Sequence, residues 1–239
     1  MTITMNIMMA AAAETAVAPI KYGLIRPADK QRVSAGLYLS FEIEQGRDKH
    51  MPHLYGTKVM LREYRREDLD HISAWVNDME TTKYLSDIFT WPQTVKNSED
   101  FLEMRLSGGR REAGFVIADR ETQDYIGQAD LMDINWIDRC ATVGIVIGDK
   151  ENRGSGKGQE ALSLLLEYAF TLLGLHRVQL DVYGGNLSAI ACYERAGFIK
   201  EGVKRRARFC RGEYMDIVLM SVLKEEWEQR GIKRAVCAE

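Results

Sequence analysis

Two periods of apolar and polar residues alternate along this chain, and the points where one gives way to the other mark its elements. Residues 58–64 read as a strand, and "REDLDHISAWV" then puts Leu69, Ile72, Trp75 and Val76 on one helical face. A polar stretch with Trp and Pro, "SDIFTWPQTVKNSEDFLEM", predicts a loop running into a second short helix. Strands are expected at 114–119, 124–133 and 141–148, followed by a helix with Leu162, Leu165, Leu166 and Ala169 at three- and four-residue spacing. "RVQLDVY" reads as the next strand, "NLSAIACYERAG" as a short helix closed by Gly197, and residues 198–223 as two closing strands around a basic turn. Strands interleaved with helices in this way predict a compact α/β domain over 53–230, with a tail at 231–239.

The first 52 residues form an extension of different character. Residues 1–19 are rich in Met and Ala and are expected to be mobile. Within 20–44, "GLYLSFEIE" alternates cleanly: Leu37, Leu39, Phe41 and Ile43 share one face, as in a half-buried strand.

Composition narrows the functional classes. The chain has 239 residues, enough for one domain with an appendage, and its net charge of -3 offers no basic field for nucleic acid. Cys140, Cys192, Cys210 and Cys237 lie far apart without a Cys-x-x-Cys pair, which argues against a zinc site and a disulfide framework and fits a reducing cytoplasm. His50 and His53 are three apart but read as solvated residues, so no metal is expected. No apolar run is long enough to span a membrane, and the N-terminus lacks the basic start of a signal peptide.

Candidate chemistry concentrates in "ENRGSGKGQEAL", residues 151–162. Alternate glycines let backbone N–H groups approach a ligand, and the following helix start carries about half a positive charge, so the stretch is suited to phosphate. It is not a Walker loop, because Gly158 rather than Ser or Thr follows Lys157. Nor is it a dinucleotide fingerprint, because Gln159 stands where a third glycine is needed. What fits is Arg-x-x-Gly-x-Gly, at Arg153, Gly156 and Gly158, between a strand and a helix.

That pattern resembles the acyl-CoA signature of the GCN5-related N-acetyltransferases. "GIVIGDKENRGSGKG", "LLEYAFTLLGLHRVQLDV" and "NLSAIACYERAGF" resemble, in order, motifs of the branch containing ribosomal-protein alanine and spermidine acetyltransferases. The resemblance covers about His53 to Trp227 and implies an α/β (α+β) fold. Its mixed, mostly antiparallel sheet of about seven strands splays at a central parallel pair, with helices on both faces. It implies acetyl-CoA as co-substrate, with the pantetheine arm paired to the backbone of Ile145, Val146 and Ile147. The pyrophosphate would sit on the N–H groups of Arg153, Gly154, Ser155, Gly156, Lys157 and Gly158, with the Lys157 ammonium adding a point charge. Asn186 would hydrogen-bond the arm, and Tyr193 would reach the sulfur.

The reaction so implied is direct transfer of an acetyl group to a primary amine, on a small molecule or a protein N-terminus, by a protein that is dimeric in many relatives. An N–H of strand 141–148 would stabilise the developing oxyanion, and Tyr193 would protonate the leaving sulfur, against the plainer reading of a packed tyrosine. Many relatives carry a Glu base where this chain has Thr142. Asp130 or Asp133 is therefore a candidate to bind the cationic acceptor or take its proton through water; the alternative is a pair of strand-end residues in solvent. Trp91, Asp87, Glu99 and Asp100 lie where relatives line the acceptor site, or form a solvated loop. "KRRARFCRGE" reads as a contact for the cofactor's 3′-phosphate or an acidic partner, or as a solvated hairpin. Transfer of another acyl group, from acyl-CoA or a carrier protein, and a non-catalytic CoA-binding module are the rival functions.

Overall fold

The computed structural model describes residues 53–109 and 111–230. The expectations for the 1–52 extension, "GLYLSFEIE" included, and for the 231–239 tail lie outside the described residues. Among the described residues eight strands form one sheet in the order β1-β2-β3-β4-β5-β6-β8-β7. They are β1 (Leu54–Tyr55), β2 (Val59–Arg62), β3 (Ala113–Asp119), β4 (Tyr125–Asn135), β5 (Cys140–Ile147), β6 (Arg177–Tyr183), β7 (Ile199–Cys210) and β8 (Glu213–Leu223). Neighbours are antiparallel except β5 and β6. This is the mixed sheet the resemblance implied; the two-residue β1, too short to show a period, brings the count to eight.

Helices cover both faces. α1 (Leu69–Trp75) and α3 (Val95–Ser107) bury Ile72, Trp75, Phe101 and Leu102 with Met60, Val116, Ala118 and Tyr125 on one side of the sheet. α4 (Lys157–Glu167) and α5 (Leu187–Ala196) bury Leu162, Leu165, Leu166, Tyr193 and Ala196 with Leu61, Phe115, Ile117, Val143 and Val178 on the other. Two-sided cover explains why all four residues of β2 are buried rather than alternating. Short helix α2 (Met79–Thr82) follows α1, capped by Asp78, whose side chain accepts from the Thr81 N–H at 3.1 Å. Helix α4 passes into a π-helical turn at Tyr168–Leu172, and α6 (Lys224–Gln229) closes the described chain.

The central parallel pair is joined over a short length. β5 and β6 are in register only at Cys140–Arg177, Ala141–Val178 and Thr142–Gln179. β6 meanwhile continues along β8 to Tyr183–Ile217, and β5 continues along β4 to Ile147–Gly127. Beyond Thr142 the two strands therefore diverge, each still held by its outer neighbour.

A cleft between diverging strands

The divergence opens a cleft of about 860 Å³ of open space, walled by β5 from Thr142 to Val146, by Asp130 and Gln128 of β4, and by Asp181 and Tyr183 of β6. Tyr193 enters from α5, and Trp75, Tyr84 and Phe89 from the α1–α2 side. On the β6 side, the β5 backbone past Thr142 has no strand partner among the described residues. Of the three residues expected to pair with an extended ligand there, Ile147 already uses its carbonyl: Arg153 donates to it from Nε at 3.1 Å and from a terminal nitrogen at 2.8 Å. The same guanidinium donates to Thr81 Oγ1 at 2.6 Å, so the Arg153 side chain ties the loop to α2.

The glycine loop has the backbone that its sequence demands. Gly154 and Gly156 have φ of +73° and +86°, and Gly156 is the N-cap of α4. An L side chain at φ +86° is strained, and a bare glycine leaves the N–H groups at the helix start uncovered. This cradle fits an anion, and the unpaired edge of β5 beside it fits an extended chain, as CoA requires. The expected side-chain contact of Lys157 is different: its ammonium lies 3.0 Å from Asp119 and 2.7 Å from Asn152 Oδ1, drawn to a carboxylate behind the loop. Lys58, which the sequence did not single out, donates instead to the Ser155 carbonyl at 2.9 Å.

Asn186 is the N-cap of α5; its Oδ1 accepts from the Ala189 N–H at 3.3 Å, leaving its amide N–H₂ to donate. Tyr193 stands two turns along the same helix, 9 % exposed, its ring edge-on to Phe198 at 5.7 Å. Its hydroxyl makes no hydrogen bond to a described residue, and burial pushes the phenol well above its usual range. The packed-tyrosine reading therefore holds for the ring, while the hydroxyl remains available in the cleft wall.

The two candidate aspartates separate. Asp133 is exposed, at φ +51° beside an irregularity in the β4–β5 register, and does not line the cleft. Asp130 is 2 % exposed, which overturns its reading as a strand-end residue in solvent. Its cross-strand neighbours are Gly114 and Gly144. A Cβ on Gly114 would fall 2.7 Å from Asp130 Oδ1, so the glycine makes room for the carboxylate to meet other groups. Tyr64 donates to that oxygen at 3.3 Å, and the Arg105 guanidinium lies 3.4 Å away while bonding Glu112 at 2.8 Å. Burial raises the Asp130 carboxyl above the usual range, with Arg105 and Tyr64 opposing. Tyr64 follows β2, Arg105 lies on α3 and Gly114 on β3, so no local spacing could have revealed this cluster.

The polar loop reads as solvated where expected: Trp91 is 74 % exposed, and Glu99 and Asp100 face Lys96 on the outer side of α3. Asp87 and the basic hairpin are not independent, however. Arg208 lies 3.8 Å from Asp87 with its guanidinium over the Tyr183 ring at 5.4 Å, and Arg211 donates to the Met79 carbonyl at 3.2 Å. The hairpin thus leans onto the α1–α2 side instead of standing wholly in solvent. Among the described residues no group of three or more ligating side chains could hold a metal, and no helix is long and apolar enough to cross a membrane.

Comparison with known proteins agrees with this geometry. Residues 58–199 match the family model of the acetyltransferase (GNAT) domain. The chain is 30% identical over 177 residues to spermidine N(1)-acetyltransferase of Vibrio cholerae serotype O1, covering 73% of this chain and 98% of that protein. A putative ribosomal N-acetyltransferase of Bacillus subtilis is 37% identical over 102 residues, which is 43% of this chain and 55% of that one. Among solved structures, the Vibrio cholerae spermidine N-acetyltransferase in complex with CoA and spermine superposes with a TM-score of 0.65 at 28% identity, covering 72% of this chain and 98% of that chain.

Proposed function

Because this chain belongs to the acetyltransferase (GNAT) family and transfers an acetyl group from acetyl-CoA to an amine, we propose that its acceptor is a polyamine bound against Asp130. The observation that carries this reading is one cleft holding the unpaired edge of β5, the free hydroxyl of Tyr193 and the buried carboxylate of Asp130. Acetyl-CoA supplies the acetyl group activated as a thioester. The N–H groups of 153–158 hold its diphosphate, and the backbone of Ile145 and Val146 lies along its arm.

An ammonium cannot attack, so the acceptor must give up a proton. Asp130 attracts the cation and receives that proton directly or through one water. Its elevated pKa suits it to the task better than a solvated aspartate would be. Tyr193 holds a proton at its hydroxyl for the departing sulfur. The aromatic walls at Trp75, Tyr84 and Phe89 suit the methylene spacers of a polyamine, and Asp181, paired with Lys204 at 2.8 Å, offers a second carboxylate in the same cleft.

A panel of spermidine, spermine, putrescine and an alanyl-terminated peptide, followed by release of CoA thiol, tests the acceptor. Turnover of the polyamines above the peptide is expected. Turnover of the peptide alone would move the acceptor to protein N-termini.

A further inference from the structure

Within the 151–158 glycine stretch two side chains are cationic, Arg153 and Lys157 at the first position of α4, and both are turned elsewhere. Arg153 is bound to the Ile147 carbonyl and Thr81. Lys157 is neutralised by Asp119 behind the loop. A third cation arrives from the start of the domain. Lys58 Nζ donates to the Ser155 carbonyl at 2.9 Å and would lie 3.5 Å from a Cβ placed on Gly156, directly over the left-handed cap of the helix.

This placement is held by contacts of its own. Glu160, in the first turn of α4, accepts from the Thr57 N–H at 2.5 Å and from its hydroxyl at 2.6 Å. Its second oxygen accepts from the Lys58 N–H at 3.0 Å. The turn between β1 and β2 is thereby tied to the helix whose start forms the cradle, and the Lys58 stem is directed across it. With three donors and one carbonyl partner, the ammonium keeps two N–H groups and its full charge. No carboxylate among the described residues lies within ion-pair distance of it.

We propose that Lys58 is the side chain that pairs with the diphosphate of CoA, the loop itself contributing backbone N–H groups alone. The inference rests on the reading of 153–158 as the diphosphate cradle and adds to it a cation from about a hundred residues earlier in the chain. A charge-assisted contact of this kind is worth about tenfold in affinity.

Calorimetric binding to the full-length protein decides it, with CoA, dephospho-CoA and pantetheine as ligands. Lys58→Met keeps the aliphatic stem and the backbone N–H that Glu160 holds. It is expected to weaken CoA and dephospho-CoA alike by about tenfold, to leave pantetheine unchanged, and to be largely restored by Lys58→Arg. Unchanged CoA affinity overturns the proposal. So does a loss seen with CoA and not with dephospho-CoA, which would assign Lys58 to the 3′-phosphate. An equal loss with pantetheine also overturns it, as a general effect of a displaced turn. Gly156→Val separates this inference from its premise. If that variant weakens CoA and Lys58→Met does not, the cradle stands and Lys58 has no part in it; if neither does, the cradle lies elsewhere.

Discussion

The guanidinium of Arg105 lies 3.4 Å from the carboxylate of Asp130, and both side chains are almost wholly buried, at 4% and 2% exposure. Asp130 opens to the cleft and Arg105 stands behind it, also bonding Glu112. If Asp130 binds the acceptor as proposed, Arg105 is its positioning residue. Replacing Arg105 with Met leaves the buried Asp130 carboxylate without its cation, and breaking such a buried pair costs about 3–5 kcal/mol. Denaturant unfolding should show that loss. The acid limb of kcat/KM should also move to higher pH, because Arg105 is what opposes the burial of Asp130. An unmoved acid limb in a folded variant would make Arg105 purely structural.

Asp130 itself gives a pH signature in stability. Its folded-state pKa is raised, so the stability it contributes is complete below the unfolded value of about 3.9 and is lost as pH rises through the folded value. Asp130→Asn cannot titrate. The melting temperature of Asp130→Asn minus that of the unsubstituted protein should therefore increase from pH 4 to pH 7, and KM for the amine should rise. A difference that is flat across this range would mean that Asp130 titrates alike in the folded and unfolded states.

Tyr193→Phe keeps the ring contact with Phe198 and removes the hydroxyl. CoA affinity and fold should survive, while turnover falls by about 10²-fold if the phenol protonates the sulfur. Because burial raises this phenol, deprotonation of Tyr193 should cause no fall in turnover below about pH 10. Single-turnover measurements check both points, since they remove product release from the rate; equal rates would leave Tyr193 with packing alone.

Glu201 bonds Arg177 at the start of β6 and has its carboxyl lowered to about 2, chiefly by that contact. The sign is opposite to that of Asp130: its contribution is complete above the unfolded value near 4.5 and is lost as pH falls toward 2. The pair is substantially exposed, so Arg177→Met should cost no more than about 1 kcal/mol at neutral pH. Unfolding at pH 7 and pH 3 should show that difference shrinking on the acid side.

What the sequence made legible follows the range of the interactions. The span of β6 and the helix closed by Gly197 could be read because a strand period and a helix cap are local. The turn before α4 was legible for the same reason, since Gly154 and Gly156 report a left-handed backbone conformation that L side chains rarely adopt. Side-chain destinations were not. Lys157 lies inside the motif and looks outward to Asp119, while Lys58 lies outside it and reaches in. Both outcomes depend on which strand passes behind α4, a property of topology. Asp130 could be named as a candidate, but its burial depended on Gly114 in the next strand and on Arg105 in α3.

The three register pairs between β5 and β6 make the sheet two halves with a narrow seam, β1 to β5 on one side and β6, β8 and β7 on the other. Each half has its own dense ladder, so the seam is where the domain opens at least cost. A ligand lying along the free edge of β5, as proposed for CoA, would act there as a rivet, adding by mass action about 2.7 kcal/mol when present at a hundred times its dissociation constant. Amide exchange at Ala141, Thr142 and Val178 should accordingly slow on addition of CoA far more than exchange within β3 or β8. On the proposed binding mode, the gap for the co-substrate is also the weak joint of the scaffold, and the protein is most cohesive when it is loaded.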